Sequence, residues 1–227
     1  MRTEQFMFNS KDGNCLVEKF VLGSVGTNCY IVSNLNTNEC FIVDLAVYSI
    51  EMVDFIKRAG YNVKGILLTH GHFDHIMGVE EFLEDFPVKV YAHEKESEFL
   101  KDPTLNLSIT RSEECTVNEV VFLSDNQIIN LAGFIIKVIH TPGHTPGGCC
   151  YYLAEESVLF TGDTLFLRSI GRTDFPYGEY DELITSIKTK LLVLPDCTIV
   201  YPGHADKTSI KIEKLENPYI APDKAHF

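Results

Sequence analysis

The sequence predicts a mixed α/β protein, from the periodicity of its apolar residues. Apolar runs of strand length come in two groups along the chain, and each group closes with segments that have the spacing of an amphipathic helix. The chain has 227 residues, 45% of them hydrophobic, which is enough for a sizeable core in one large domain or two small ones. We interpret residues 1–227 as a single domain.

The first half of the chain opens with three expected strands, at residues 16–22, 27–32 and 39–43. The polar segment 33–38 is rich in turn residues and favours a hairpin between the second strand and the third. Ser49 can cap a helix that ends at Gly60. The elements expected after this helix are a buried strand at 63–68, an amphipathic helix at 76–86, a strand at 88–92 and a helical stretch at 94–101.

The second half begins with residues 102–116, which have little periodicity and form a longer connection than most. Such a segment is either a lid over a binding site or a loose surface loop. The elements expected beyond it are strands at 120–123, 134–139, 148–153 and 158–160, a helix at 180–191, a strand at 198–200 and a final helix at 209–215.

A histidine-rich motif follows the expected strand at 63–68. Residues 70–75 read His-Gly-His-Phe-Asp-His and bring three imidazoles and one carboxylate into six residues. Imidazole and carboxylate groups are preferred ligands of zinc and of similar divalent cations. Because the motif lies between a strand and a helix, side chains two residues apart can converge on one point. The motif therefore predicts a metal site.

Three further ligand candidates follow later strands. His144, Asp163 and His204 each come after an apolar run, in turns that contain Gly or Pro. Several strands that end at one rim of a sheet bring such residues together in space. A single Gly-His turn would be a weak signal, but three such turns beside the histidine motif are a strong one.

These motifs together resemble the metallo-β-lactamase superfamily and, within it, the glyoxalase II-like hydrolases. The resemblance runs from Asn28-Cys29-Tyr30-Ile31-Val32 to Glu216-Asn217-Pro218-Tyr219, and it includes the stretches at 162–166 and 171–176. It implies a four-layer αββα sandwich, which the two strand-rich halves fit. The chain would be a short member without the helical C-terminal domain of the full-length enzymes.

The resemblance also implies two divalent metal ions, with Zn²⁺ expected and Fe or Mn as alternatives. One ion would be bound by His70, His72 and His144, the other by Asp74, His75 and His204, and both by Asp163. Asp74 would also act in catalysis, because it would help to hold and orient the attacking water. Asp44, at the end of the strand at 39–43, would orient a ligand histidine; the alternative is a solvated turn residue.

The implied activity is metal-dependent hydrolysis of a thioester such as hydroxyacyl-glutathione. A thiolate, whose conjugate acid has a pKa of about 8.5, can leave without a general acid, whereas an amide nitrogen must be protonated. No general acid is evident outside the metal cluster, which favours a thioester over a β-lactam. The main alternative is a persulfide dioxygenase of the same fold, with one iron bound by His70, His144 and Asp163. A metal-stabilised scaffold without turnover is a third hypothesis.

Arg172 is the candidate for substrate contact, nine residues after Asp163 in a loop that contains glycine. In long glyoxalases a cation in this loop binds the glycine carboxylate of glutathione, and a guanidinium suits that task. The alternative is a structural ion pair with Asp174. The tyrosine that follows the last ligand histidine in the family is replaced by Ala205, so the thiol carrier stays open.

Composition limits the partners. A net charge of −13 argues against nucleic acid, whose phosphates need a basic surface, and a small acyl-thiol substrate is expected instead. The seven cysteines are odd in number and include no Cys-x-x-Cys, which is typical of reduced thiols in the cytoplasm. No signal peptide or membrane-spanning stretch is evident, so no membrane association is expected. Oligomeric state is left open. Of the other histidines, His140 is expected to pack near the site, and His93 and His226 to be solvated.

Overall fold

The computed structural model describes residues 3–7, 14–111 and 113–220, and two β-sheets dominate these ranges. The strands of the first sheet lie side by side in chain order: β1 (Thr3–Met7), β2 (Cys15–Leu22), β3 (Thr27–Asn34), β4 (Glu39–Val43), β5 (Asn62–Leu67), β6 (Lys89–His93) and β7 (Val120–Leu123). Strands β1 to β4 pair antiparallel, whereas β4 to β7 pair parallel. The parallel strands therefore end at one edge of the sheet.

The second sheet is built from the second half of the chain. Its strands are β8 (Ile128–Leu131), β9 (Phe134–His140), β10 (Cys149–Leu153), β11 (Val158–Gly162), β14 (Ile199–Pro202) and β15 (Thr208–Ser209), with a separate small hairpin of β12 (Leu165–Phe166) and β13 (Ser169–Ile170). Strand β10 is antiparallel to β9 and to β11, and β14 is parallel to β11. Strands β9, β11 and β14 consequently end at the same edge.

Helices cover the outer face of each sheet. They are α1 (Ile50–Ala59), α2 (Phe73–Ile76) and α3 (Val79–Asp85) in the first half, and α4 (Tyr180–Ser186) and α5 (Ile210–Glu216) in the second; five π-helical residues, Ile187–Leu191, extend α4. Within the described ranges, none of these helices combines the length and the apolar character that are needed to span a membrane.

The alternation of side chains along the strands produces separate apolar layers. Tyr30 of β3 faces the second sheet, where its ring centroid lies 5.3 Å from that of Phe160. The next residue, Ile31, faces the layer that contains Met52 of α1. On the far side of the second sheet, Leu159 belongs to the layer beneath α4. The expected αββα sandwich is therefore confirmed.

Helix α1 is the element whose ends the sequence predicts best. The Ser49 side chain accepts a hydrogen bond from the backbone N–H of Met52, at 3.2 Å. Gly60 ends the helix with a left-handed backbone, at φ 70°, a conformation that glycine adopts without steric cost.

The single helix expected at 76–86 is wrong, because the chain breaks between α2 and α3 at Gly78. The backbone there is tied to Leu45, which accepts a hydrogen bond from Gly78 N (3.0 Å) and donates one to His75 O (2.8 Å). A Cβ at position 78 would lie 2.3 Å from the carbonyl carbon of Val47. The helix is therefore interrupted where it packs against a neighbouring backbone, a contact that periodicity cannot reveal.

Candidate metal centre

The residues that the sequence predicts as metal ligands lie together at one edge of the sandwich. Strands β5, β9, β11 and β14 end at this edge, and a loop or short helix after each one carries ligand candidates. The set comprises His70, His72, Asp74, His75, His144, Asp163 and His204. Backbone hydrogen bonds join the loops, from Cys149 N to Thr69 O (2.9 Å) and from Gly203 N to Gly162 O (2.8 Å). Both sheets thus contribute to one site.

The candidate ligand atoms form overlapping groups of three. In each of these groups the ligand atoms lie within 4.8 Å of one another: His70, His72 and His144; His70, His75 and Asp163; Asp74, His75 and His204. The first and the third group share no residue, and Asp163 lies between them. Its carboxylate is 3.6 Å from His144 Nε2 of the first group and 3.4 Å from His75 Nε2 of the third. This geometry allows two metal positions that share one carboxylate.

Most of the short distances between these atoms suit ligands around a metal ion better than hydrogen bonds, although His72 Nδ1 lies only 3.0 Å from His144 Nε2. His75 Nε2 lies 3.5 Å from Asp74 Oδ2, and His204 Nε2 lies 3.3 Å from the same oxygen. A hydrogen bond between nitrogen and oxygen measures about 2.9 Å. Two ligands of a tetrahedral zinc, each about 2.0–2.1 Å from the ion, are roughly 3.3–3.4 Å apart.

Two of the ligand histidines have a protein partner on the ring nitrogen that points away from the cluster. His75 Nδ1 is 2.8 Å from Asp44 Oδ2, and His144 Nδ1 donates to the backbone oxygen of Arg172 at 2.7 Å. Several inward atoms are buried without a hydrogen-bond partner, namely His70 Nε2, His75 Nε2 and Asp163 Oδ1. Because buried polar atoms are nearly always satisfied, these atoms are suited to bind a cation. The residues present therefore fit divalent metal ions.

Asp44 connects His75 of the histidine motif with Thr69, the residue that precedes the motif. It is 1% exposed, so it is not a solvated turn residue, and its backbone is left-handed at φ 55°. Oδ1 accepts a hydrogen bond from Thr69 N and Oδ2 accepts one from Thr69 Oγ1, both at 2.8 Å. Together with the contact to His75, these bonds fit the orienting role implied by the resemblance.

The electrostatics differ between the first group and the third. Burial lowers the pKa of His72 to about 3 and lowers the pKa values of the other two imidazoles of its group, which keeps all three neutral, the form that binds a metal. Burial also opposes the charged form of His75, but the carboxylates of Asp74 and then Asp44 raise its pKa overall. The carboxylates around the third group thus favour a positive charge at this position, which a bound cation would supply.

Glu96 is a buried residue at the site that the sequence did not indicate. Its Oε2 accepts a hydrogen bond from Gly71 N (2.7 Å), and its Oε1 accepts bonds from Thr145 Oγ1 (2.6 Å) and Gly147 N (2.8 Å). The side chain therefore joins the loop of His70 and His72 to the loop of His144. The helix expected at 94–101 is only a 3₁₀ turn at Glu94–Glu96 followed by further turns, since the backbone at Glu96 packs against Gly147.

A cleft opens beside the cluster and has two compartments. One, of about 300 Å³, is lined by His72, Asp74 and His204 and reaches Arg172. The other, of about 340 Å³, lies between the turn at 23–25 and residues Ala46, Val47 and Met77. The two share one wall, which consists of Val25, Phe73, Asp74, Thr110 and Arg111.

Arg172 borders the cleft and also has an internal partner. Its Nε and one terminal nitrogen donate to the two oxygens of Asp174, at 2.7 and 2.6 Å, and its guanidinium lies 3.8 Å from the ring centroid of Phe175. The ion pair considered as the alternative is thus present. Substrate binding by Arg172 remains a prediction.

The described part of segment 102–116 is attached to the histidine motif. Asn106 is buried, and its backbone oxygen accepts a hydrogen bond from Phe73 N at 2.8 Å. Leu107, Thr110 and Arg111 line the cleft. The segment is therefore a wall of the cleft and not a loose surface loop, while its action as a lid remains a prediction.

The remaining histidines differ in part from expectation. His140 is buried near the site, with Nε2 2.9 Å from Pro146 O, as expected. The prediction that His93 is solvated is wrong: it is 2% exposed and its ring stacks on that of His140, with centroids 4.1 Å apart. It is the last residue of β6, and the ring of His140 at the end of β9 covers it. His226 lies outside the described residues.

Fold and site define a class of protein. Residues 22–204 match the family model described as the metallo-beta-lactamase superfamily, and the chain belongs to this superfamily. The fold, together with the cluster of histidines and aspartates, implies divalent metal ions as cofactors.

Two curated relatives are similar over nearly their whole length. The probable metallo-hydrolase YqgX of Bacillus subtilis is 35% identical over 88% of this chain and 94% of its own. The hydroxyacylglutathione hydrolase GloC of Haemophilus influenzae is 36% identical over 85% of this chain and 92% of its own. The chain is therefore a member of a family of metallo-hydrolases.

Solved structures agree with the fold. The B3 metallo-beta-lactamase BLEG-1 is 38% identical and superposes with a TM-score of 0.86, covering 91% of this chain and 100% of its own. TTHA1623 in a di-iron-bound form is 30% identical, with a TM-score of 0.79 over 89% of this chain and 99% of its own. ETHE1 from Myxococcus xanthus is 26% identical, with a TM-score of 0.71 over 90% and 84%.

Proposed function

We propose that the protein is a metal-dependent thioester hydrolase that acts on hydroxyacyl-glutathione or a similar acyl-thiol. The main support for the proposal is that Asp163 lies between two separate groups of three ligand candidates. This arrangement suits a pair of divalent ions, and such a pair suits hydrolysis by an activated water. The 36% identity to GloC supports this substrate class. The proposal includes Zn²⁺ as the metal, a single domain, a cytoplasmic location, and neither nucleic acid nor membrane as a partner.

The chain supplies the metal ligands and a carboxylate that can orient the attacking water. His70, His72 and His144 would hold one ion, Asp74, His75 and His204 the other, and Asp163 both. Such ions act as Lewis acids and lower the pKa of a water molecule toward neutrality. Asp74 Oδ2 accepts a hydrogen bond from Thr27 Oγ1 at 2.8 Å, which fixes the carboxylate at the wall of the cleft. A carboxylate fixed there can accept a proton from the attacking water and orient it.

The cleft offers little help to a poor leaving group. Outside the metal cluster, the described residues that line both compartments are apolar side chains, glycine, hydroxyl groups and two guanidinium groups. None of these donates a proton readily near neutral pH. A thiolate leaves without such a donor, so the cleft favours a thioester over an amide.

Two other reactions have specific support. The 38% identity to BLEG-1 favours β-lactam cleavage, which the lack of a proton donor opposes. The likeness to ETHE1 gives some support to a persulfide dioxygenase with one iron, but such a site would leave Asp74, His75 and His204 without a ligand role. The hydrolase uses the complete set.

One experiment separates these reactions. Protein purified without added metal is analysed for its metal content and assayed on S-lactoylglutathione, on a cephalosporin and, with an oxygen electrode, on glutathione persulfide. We expect two metal ions per chain and turnover of the thioester. One iron per chain with persulfide-dependent oxygen uptake and no thioester turnover would replace the hydrolase with the dioxygenase. Preferred turnover of the cephalosporin would replace it with a β-lactamase.

A further inference from the structure

We propose that Arg111 is a specificity-determining residue that binds an anionic group of the substrate. The compartment of about 340 Å³ would house the arm that carries this group. The inference rests on the proposed hydrolase function and narrows its substrates to acyl thioesters with a carboxylate on an apolar stem.

The two compartments form a continuous path past Arg111. The shared wall places Arg111 and Phe73 at the boundary between the compartment of the metal cluster and the second compartment. A thioester carbonyl at the metal cluster can therefore extend one arm into the second compartment. Ala46, Val47 and Met77 give that compartment apolar walls, which suit an aliphatic stem.

The guanidinium of Arg111 packs on an aromatic ring, but no carboxylate of the described residues neutralises its charge. Its Cζ lies 4.1 Å from the ring centroid of Phe73, the residue between His72 and Asp74 in the motif. Among the described residues, no carboxylate lies within 4.0 Å of its nitrogens, and it makes no hydrogen bond that would occupy its donors. A guanidinium stacked on an aromatic ring keeps its edge available for a bidentate bond to a carboxylate.

Arg172, which lines the same compartment at the metal cluster, provides an internal comparison. It also stacks on an aromatic ring, but the two oxygens of Asp174 already occupy its fork. That pair has no net charge, and a substrate carboxylate would have to displace Asp174 before it could bind. Of the two described guanidinium groups that line this cleft, Arg111 is thus the one with unused donors.

The negative net charge of the chain makes the cation of Arg111 important for binding an anionic substrate. With a net charge of −13, the protein repels an anionic substrate at long range, so binding needs a positive group close to the reacting carbonyl. Bound metal ions would supply positive charge near the metal ligands, and Arg111 supplies it at the entrance of the second compartment.

The test uses a series of thioester pairs. In each pair an S-acetyl thiol ends either in a carboxylate or in the uncharged carboxamide, and two to six methylene groups separate this end from sulfur. We expect Arg111→Gln to raise KM for the carboxylate roughly 10- to 100-fold at the best chain length, the loss of one charge-assisted bidentate contact. The KM of the carboxamide and the kcat of both compounds should change less than about twofold. The reason is that Arg111 would bind the substrate and the transition state equally well, so that its loss raises KM and leaves kcat unchanged.

Two matched variants complete the kinetic test. Arg172→Gln removes the other guanidinium of the cleft, and Arg58→Gln removes the same charge from an exposed position on α1 that does not line the cleft. If Arg172→Gln alone abolishes the preference for the carboxylate, the assignment to Arg111 is overturned. Equal losses on both members of a pair in Arg111→Gln would show a structural role and would also overturn it.

A binding measurement keeps this inference separate from the proposed hydrolysis. If the wild-type protein turns over no thioester, the hydrolase proposal fails, and Arg111 is then tested with the corresponding ethyl thioethers by calorimetry on the metal-loaded protein. A preference for the carboxylate thioether that disappears in Arg111→Gln supports the anion site by itself. Equal affinity of the wild-type protein for carboxylate and carboxamide refutes it.

Discussion

At the scale of single residues, Asp163 has the most consequential position. It follows β11 and lies close to two glycines, Gly162 and Gly203, where a larger residue would not fit. A Cβ on Gly203 would lie 2.3 Å from Asp163 Oδ1, and a Cβ on Gly162 would lie 2.2 Å from Thr69 Oγ1. Its two carboxylate oxygens face different groups of ligand candidates: Oδ1 lies 3.4 Å from His75 Nε2 of the third group, and Oδ2 lies 3.6 Å from His144 Nε2 of the first. A residue so placed can serve two ions at once.

Replacing Asp163 and His204 by alanine should therefore have different effects on metal content. We expect Asp163→Ala to weaken both ions, because its carboxylate lies between the groups. His204→Ala should loosen mainly the ion held with Asp74 and His75, and leave about one ion bound. Metal analysis after equilibrium dialysis against a weak chelator measures both. The shared-carboxylate geometry is wrong if the two variants lose the two ions in equal proportion.

At the scale of elements, the sequence predicted those parts that depend on local chemistry. The ends of α1 follow from the Ser49 side chain and the conformational freedom of Gly60, and the ligand positions follow from turns after apolar strands. What it did not predict depends on contacts between distant segments. Gly78 breaks a helix against Val47, and Glu96 is buried between two loops that lie 25 and about 50 residues away along the chain. Neither contact leaves a periodic signal.

Glu96 should act on metal binding through the loops that it joins. Glu96→Ala would leave the N–H groups of Gly71 and Gly147 and the hydroxyl of Thr145 without their acceptor, at a cost of about 1–3 kcal/mol for each buried group. We expect weaker metal binding, measured by competition with a chromophoric chelator, and a lower melting temperature. Glu96→Gln should recover part of the affinity, because it keeps one acceptor oxygen.

The neighbouring Glu94 gives a matched control for this prediction. It belongs to the same 3₁₀ turn, but its side chain is exposed. Glu94→Ala should leave both metal affinity and melting temperature unchanged. If Glu96→Ala lowered stability while metal affinity stayed at the wild-type value, Glu96 would be important only for folding.

The stacked pair of His93 and His140 should make stability depend on pH. Burial and then the neighbouring His140 lower the pKa of His93 to about 4, below the ordinary value of 6.5. A histidine with a lowered folded-state pKa takes up its proton more readily in the unfolded chain. Its contribution to stability is therefore present above pH 6.5 and is lost as the pH falls toward 4.

The variant His93→Asn tests this, since its side-chain oxygen can still accept a hydrogen bond from Lys95 N, as His93 Nδ1 does. Melting temperatures of both proteins are compared between pH 7.5 and pH 4.5. The wild-type protein should lose more stability across this range than the variant, whereas release of metal by acid affects both. Parallel curves would mean that the pKa of His93 is the same in the folded protein as in the unfolded chain.

At the scale of the whole molecule, the metal cluster joins the two halves of the chain. The first half supplies the motif at 70–75, and the second half supplies His144, Asp163 and His204. Buried tyrosines link the same loops across the two sheets: Tyr30 donates to Pro202 O and Tyr151 donates to Leu68 O, both at 2.7 Å. Without a cation, the buried carboxylates of this interface repel one another within a chain that already has a net charge of −13.

Removing the metal should therefore destabilise the whole molecule and not only the loops. An ion present at about 100 times its dissociation constant stabilises the folded state by about 2.7 kcal/mol. In a protein of this size such a change shifts the melting temperature by roughly 5–10 °C for each ion. The measurement compares calorimetric melting curves of the metal-loaded protein, of the protein stripped by a chelator, and of the stripped protein after metal is returned. His204→Ala, which should keep one ion, should show about half of the shift.

Since both halves of the chain hold metal ligands, the unfolding transition of the metal-loaded protein should stay single. A melting temperature that does not respond to the chelator would show that the cluster does not join the two sheets through a metal ion.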